Sequence, residues 1–166
     1  MMKILMFQTY SSPIGDITLV EFEETLCYLD FSENDDRLER LLTIRFGRYQ
    51  MKNGVILDME DRLNRYFDCD WSAFEGLPIT TAGTEFQKTV WRKLKEIPIG
   101  STISYQKLAQ NIDKPKAIRA VASSNARNPI AIIIPCHRVI GKSGALRGYA
   151  GGLHRKQWLL EHEGAS

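Results

Sequence analysis

One thiol stands beside an imidazole in the segment Ile134-Pro135-Cys136-His137-Arg138-Val139. A free cysteine has a pKa of about 8.5 and is only a few per cent thiolate at neutral pH. Burial lowers that fraction further, because a low-dielectric surrounding disfavours the charged form. A base that takes the proton reverses the problem, and His137 is the natural candidate. On the dipeptide alone the alternative is a core cysteine followed by a solvent-facing histidine, since buried structural thiols are common. The run Ile130-Ala131-Ile132-Ile133-Ile134 before it is bracketed by Pro129 and Pro135. It is too short for a membrane span. Residues before proline are pushed out of the helical region, so the run predicts a short, extended core segment that delivers Cys136 to a fixed place.

The elements around this segment follow from pattern. Thr84-Glu85-Phe86-Gln87 fits a capping box, in which the Thr84 hydroxyl and the Gln87 side chain satisfy amides of the first helical turn. Phe86, Val90, Trp91, Leu94 and Ile97 continue one apolar face to the break at Pro98-Ile99-Gly100, and core packing explains that stripe. Next comes a helix-turn-helix pattern. Ser104 can cap a helix from Tyr105 to Ile112, Asp113-Lys114-Pro115 turns the chain, and a second helix starts at Lys116 or Ala117 and runs to about Arg127. That second helix is small-faced, with Ala117, Ala120, Ala122, Ser123, Ser124 and Ala126. Small side chains let a backbone sit close to another helix or to a narrow groove. Helix-turn-helix proteins that read the major groove use long polar side chains on this helix. A smooth one suits the minor groove, whose pattern is degenerate.

The amino-terminal part reads as β-rich. Ile4 to Thr9, Ile17 to Phe22 and Leu26 to Phe31 are predicted strands, the first two separated by a turn signal from Ser11 to Asp16. Helices are expected over Asp35 to Phe46 and Met59 to Phe67. Gly76 to Gly83 holds two glycines and a proline with no charge, and marks a boundary. The expected organisation is a domain over 1–76, a linker over 77–83 and a second domain over 84–166.

Charge divides the same way. The 166 residues carry a net charge of +2. Residues 1–75 hold 8 lysines and arginines against 15 aspartates and glutamates, a balance of −7, and residues 76–166 hold 14 against 5, a balance of +9. A basic half of this kind is the electrostatic footprint of a nucleic-acid-binding surface. Cys27, Cys69 and Cys136 are odd in number and lack paired spacing, so no disulfide framework is implied and a reducing compartment suits the chain. No signal peptide pattern or membrane span is present, and a cytoplasmic protein (nuclear if eukaryotic) is expected.

Several segments then line up. They are Ser104-Tyr105-Gln106-Lys107-Leu108-Ala109, Arg119-Ala120-Val121-Ala122, Asn128-Pro129, the Pro135-Cys136-His137 core, the turn from Gly141 to Gly144, and the loop Arg147-Gly148-Tyr149-Ala150-Gly151-Gly152. After them comes a helix over Leu153 to His162 that ends in Glu163-Gly164. In order and spacing, from Thr84 to Gly164, they closely resemble the O6-alkylguanine-DNA alkyltransferases, the direct-reversal DNA repair proteins. The resemblance implies an α+β chain. Its parts are a small antiparallel-sheet, RNase H-like domain with helices and a mostly helical domain with a winged-helix-like helix-turn-helix. It also implies irreversible, stoichiometric transfer of an alkyl group from O6-alkylguanine in double-stranded DNA to Cys136, with O4-alkylthymine left open as a second substrate.

The residue roles are carried over from that resemblance. Cys136 attacks the alkyl carbon, His137 accepts the thiol proton through water, Glu163 orients the imidazole, and Tyr105 donates to guanine N3. The Ala117–Arg127 helix, with Ala117, Ala120, Ala122, Ser123 and Arg127, enters the minor groove. Arg119 fills the space of the flipped nucleotide, and Asn128 caps the turn that holds the helix against the active-site loop. The O6 atom faces its pairing partner in a duplex, so the base must leave the stack before a thiolate can reach it. Tyr105, Pro135, Val139, Tyr149, Ala150 and Gly151 line the pocket. Backbone groups of Cys136 and Val139 accept from the guanine amino group, and the Ala150 amide donates to O6.

No cofactor, no membrane and no obligate protein partner are implied. A zinc site of the kind some members carry in the first domain is not expected, because that part has two cysteines and no histidine. Ile118 and Ala150 stand where other members often have Ala and Ser. Two other functional classes are weaker. A non-catalytic lesion-binding module, like the alkyltransferase-like proteins, lacks the reactive cysteine that Cys136 supplies. A cysteine hydrolase needs an oxyanion hole, and nothing in the sequence marks one.

Overall fold

Runs rich in β-branched and aromatic residues between Lys3 and Phe31 build three consecutive antiparallel strands, β1 (Lys3–Ser12), β2 (Gly15–Phe22) and β3 (Thr25–Phe31). The computed structural model describes residues 2–142, 144 and 148–165. Within it the chain divides into two units, Met1–Ala82 and Gly83–Ser166. In the first unit the Ser12 hydroxyl donates to the Gly15 carbonyl and accepts from the Ile14 amide, which closes the β1–β2 turn. The β2–β3 turn is made by Glu23 and Glu24, both at positive φ (50° and 63°). Helix α1 (Asp35–Phe46) carries the chain to a fourth strand, β4 (Tyr49–Asn53), which pairs parallel to β1. The order is β3-β2-β1-β4, so the sheet is antiparallel with one parallel edge. Leu5, Val20, Cys27 and Tyr28 of the sheet pack against Leu38 and Leu42 of α1. Helix α2 (Met59–Phe67) turns Met59, Leu63 and Tyr66 inward.

The second unit starts with the predicted capping box. The Thr84 hydroxyl accepts from the Gln87 amide at 3.1 Å, and the Gln87 side chain accepts from the Thr84 amide at 3.0 Å. Helix α3 (Glu85–Leu94) buries Val90, Trp91 and Leu94, each worth about 1.5–3 kcal/mol relative to an exposed side chain. The Trp91 indole donates to the Ser124 carbonyl at 2.9 Å, which ties α3 to α5 (Ile118–Ala126). Helix α4 (Tyr105–Asn111) is capped by Ser104, whose hydroxyl accepts from the Lys107 amide. Together α4 and α5 make the helix-turn-helix. The two-residue strands β5 (Ile103–Ser104) and β6 (Val139–Ile140) pair parallel, and α6 (Leu153–His162) closes the unit. No helix among the described residues is long and apolar enough to cross a membrane.

Candidate active site

Asn128 ends the helix-turn-helix and begins the segment that presents Cys136. Its amide nitrogen donates to the Ile134 carbonyl at 2.7 Å, and its oxygen accepts from the Ile130 amide at 3.0 Å. One side chain thus satisfies both ends of a loop that would otherwise need strand partners. The extended segment expected for residues 130–134 is therefore a turn. The Ile134 amide reaches the Ile130 carbonyl, and the Ile133 amide reaches the Ala131 carbonyl at 2.8 Å. The latter contact closes a three-residue turn around Ile132, whose φ is +70°. A branched side chain in that region is a genuine outlier and costs about 1–3 kcal/mol. Pro135 (φ −82°, ψ 64°) centres a second such turn, in which the Cys136 amide donates to the Ile134 carbonyl at 2.8 Å. Its angles are those of the relaxed form of the turn. The two turns deliver Cys136 to the first position of a 3-10 turn, Cys136–Arg138.

Cys136 is 6% exposed and His137 is fully buried. His137 Nε2 lies 2.9 Å from Glu163 Oε2. Glu163 comes from the residue that caps the carboxyl end of α6. Burial pushes the imidazole below its ordinary value, outweighing the pull of Glu163 in the other direction, and the charges of Arg138 and Lys156 lower it further. For Glu163 burial raises the carboxyl, but hydrogen bonds from His137 and Arg138 overcome it and hold the group at about 2. The pair is a neutral imidazole beside an ionised carboxylate. Glu163 Oε2 accepts at Nε2, so Nε2 carries the proton and Nδ1 is left as the basic atom. Nδ1 is buried, with no protein partner among the described residues.

These shifts set a pH dependence. Between the lowered pKa of His137 and its ordinary value, the unfolded chain binds a proton that the folded chain refuses, so stability rises with pH there. Glu163, depressed to about 2, contributes stability that is complete above the ordinary carboxylate pKa of about 4.3 and lost as pH falls toward its folded value. Thermal melts of the wild type and of Glu163→Gln should therefore differ most at pH 5 to 7 and converge as the pH approaches 2. A gap that stays constant across that range would mean that the carboxylate charge carries no stability.

Around the thiol, Tyr105 is half-buried. A Cβ on Gly148 would lie 3.2 Å from its hydroxyl, and Gly148 has φ +62°, so only glycine suits this approach. Tyr149 and Gly151 are buried and Ala150 is exposed; Arg147 lies outside the described residues. The Val139 carbonyl accepts from Lys156 Nζ at 2.5 Å, and the Cys136 carbonyl receives the Asn125 amide at 3.4 Å. The Cys136 carbonyl also accepts from the Val139 amide, which closes the 3-10 turn. Pro135 and Val139 are buried beside them. On α5 and its flanks, Arg119, Ala120, Ser123 and Arg127 are exposed, Ala117 and Ala122 half-buried, and Asn128 buried. Ile118 is 39% exposed on this otherwise small face. The structure thus gathers Cys136, His137, Glu163, Tyr105 and Val139 in one region, and places the helix face apart from Asn128, which works inside the loop.

Three residues that sequence reasoning did not single out belong to this region. Arg138 donates through Nε and Nη2 to Glu163 and through Nη1 to the Ile97 carbonyl. Asn125 reaches Cys136. Lys156 is wholly buried, and its burial lowers it to about 8 against the opposing pull of Cys136. Its ammonium also lies 5.8 Å from the centre of the Tyr105 ring. Two signals were available: a charge inside the apolar run 130–140, and a lysine on the Leu159–Leu160–Glu163 face of α6. Charged residues are rarely buried without partners.

Comparison with known proteins decides the family. The model of the 6-O-methylguanine DNA methyltransferase DNA binding domain matches residues 85–165, and that of the ribonuclease-like domain of the same proteins matches 5–81. The chain belongs to the 6-O-methylguanine DNA methyltransferase family. It is 38% identical over 164 residues to a methylated-DNA–protein-cysteine methyltransferase of Shigella flexneri, with 96% of each chain covered. A relative of that name from Methanosarcina acetivorans is 43% identical over 159 residues, covering 96% of this chain and 98% of that one. Among solved structures, Mycobacterium tuberculosis OGT in complex with DNA superposes with a TM-score of 0.83 at 41% identity, covering 96% of this chain and 92% of the other. As in this methyltransferase family, the α+β architecture pairs a sheet unit with a helical DNA-binding unit.

Proposed function

We propose that the chain repairs DNA by direct reversal, moving the alkyl group of O6-alkylguanine irreversibly onto Cys136 in a single turnover. The observation that carries this reading is the buried His137–Glu163 pair immediately after Cys136, in the unit that matches the family's DNA-binding domain. In the proposed step the Cys136 sulfur attacks the alkyl carbon in line, a C–S bond forms, and the C–O bond to guanine breaks. The thiol proton goes to His137 Nδ1 through water, and the ionised Glu163 stabilises the imidazolium, the logic of nucleophile triads. The guanine leaves with the C–O electron pair, and the Tyr105 hydroxyl donates a hydrogen bond to N3 as negative charge develops there. The Ala150 amide donates to O6, and the proton taken up by His137 passes through water to the departing base. Tyr149 and Gly151 line the alkyl pocket.

The substrate is double-stranded DNA. Helix α5 lies in the minor groove, the damaged nucleotide is flipped out, and Arg119 fills the gap. Arg119 is exposed on α5, which leaves its guanidinium open to a ligand. A reducing, cytoplasmic setting keeps the thiol competent. The test is the intact mass of the protein after incubation with a duplex containing O6-methylguanine. One methyl group per chain, mapped to the peptide holding Cys136, is expected. An unchanged mass sinks the proposal.

A further inference from the structure

The carboxylate of Glu163 is shared between two donors. Oε2 accepts from His137 Nε2 at 2.9 Å and from Arg138 Nη2 at 3.0 Å, and Oε1 accepts from Arg138 Nε at 2.8 Å. Arg138 Nη1 donates to the Ile97 carbonyl at 2.7 Å, which anchors the fork to the chain beyond α3. Arg138 and Glu163 are buried. We infer that Arg138 is a positioning residue that locks His137 into the tautomer able to accept the Cys136 proton. The inference rests on the proposed role of Cys136 as nucleophile.

A buried Glu–His pair has two neutral arrangements. In one, the imidazole donates from Nε2 to a carboxylate and keeps Nδ1 as acceptor. In the other, a carboxylic acid donates to Nε2, and the ring proton moves to Nδ1, where it can accept nothing. The guanidinium excludes the second. Both lone pairs of Oε2 are filled, one by the ring and one by Nη2. A carboxyl proton could then sit only on Oε1, from which it cannot reach Nε2 unless the carboxyl rotates and both bonds to Arg138 break. A planar fork with fixed donors does this; a lysine, a compact charge on a flexible stem, cannot hold both oxygens. The arrangement has a cost, because the charges of Arg138 and Lys156 both disfavour the imidazolium. Arg138 therefore trades some basicity of His137 for the correct tautomer.

The nitrogen chemical shifts of the imidazoles read the tautomer directly, and three histidines make assignment simple. In the wild type at neutral pH, His137 should show a protonated Nε2 and a bare Nδ1. In Arg138→Met the pattern should become mixed or reversed, and Arg138→Lys should fall between. Transfer from free O6-benzylguanine, which needs no DNA, should slow at least about tenfold in Arg138→Met, since a wrong tautomer is costly in a triad. In a Glu163→Gln background the same substitution should slow it no further, because residues acting as a unit are non-additive. A wild-type His137 protonated on Nδ1 overturns the inference without any variant. So does an unchanged tautomer in an Arg138 variant that still binds lesion duplex, or equal slowing in both backgrounds. A wild-type chain that takes up no methyl group would instead refute the proposed function, and intact mass distinguishes the two failures.

Discussion

Cys136→Ser should abolish alkyl transfer while leaving binding of a lesion-containing duplex largely intact. A hydroxyl is a far weaker nucleophile than a thiol with a partner base, and removing a nucleophile of this kind costs on the order of 10⁴-fold or more. The substitution is small enough for the pocket, so the fold should survive it. Neither other cysteine can substitute. Burial raises the Cys27 thiol to about 11, and its sulfur lies 3.5 Å from the Val20 carbonyl inside the sheet core. Cys69 is exposed in the first unit. Reactive cysteines sit beside a base or a positive charge, and Cys136 has both, the His137–Glu163 pair that follows it and the Lys156 ammonium. The measurement is intact mass after a long incubation with O6-methylguanine duplex, paired with a binding titration. Methylation of the serine variant at any residue would end the assignment of Cys136.

Arg119→Ala should slow repair of a lesion inside a duplex about tenfold while leaving the reaction with free O6-benzylguanine nearly unchanged. Extruding a nucleotide costs a few kcal/mol, and a side chain that fills the gap recovers part of it. Losing about 1.4 kcal/mol of that recovery is a factor of ten in rate. The free base needs no extrusion, so the ratio of duplex rate to free-base rate, variant against wild type, isolates the effect. Equal slowing on both substrates would move Arg119 out of the groove and into support of the fold.

Much of this architecture was legible because local pattern and tertiary demand agree. Met59 to Phe67 and Leu153 to His162 are helices at the predicted limits, because their apolar spacing points to one face and their ends carry turn residues. The Thr84–Gln87 box forms as its spacing requires. Strand β4 was not legible. Tyr49-Gln50-Met51-Lys52-Asn53 is polar, mostly exposed and paired on one edge only, so its strand character comes from β1 and not from its own residues. The Ile130–Ile134 run misled for a related reason. Its β-branched residues favour extended backbone, but the Asn128 side chain supplies the hydrogen bonds a neighbouring strand would have given. Cys136 and His137 were visible as chemistry, whereas the Arg138 fork and the buried Lys156 depend on partners 25 and 17 residues away. A sequence shows which charges exist, but their pairing emerges only when the chain closes.

The two glutamates that turn β2 into β3 bear on how this protein can change. Hairpin turns with positive φ at both central positions favour Asn-Gly, Asp-Gly or Gly-Gly, and an ordinary side chain there costs roughly 1–2 kcal/mol per residue. Glu23 and Glu24 accept that cost (φ 50° and 63°) in a turn remote in sequence from Cys136. The hairpin is thus a reserve of unclaimed stability. A lineage moving to warmer surroundings, or an engineer wanting a hardier scaffold, could draw on it by exchanging two residues, and the drift would leave no trace in the chemistry of the thiol.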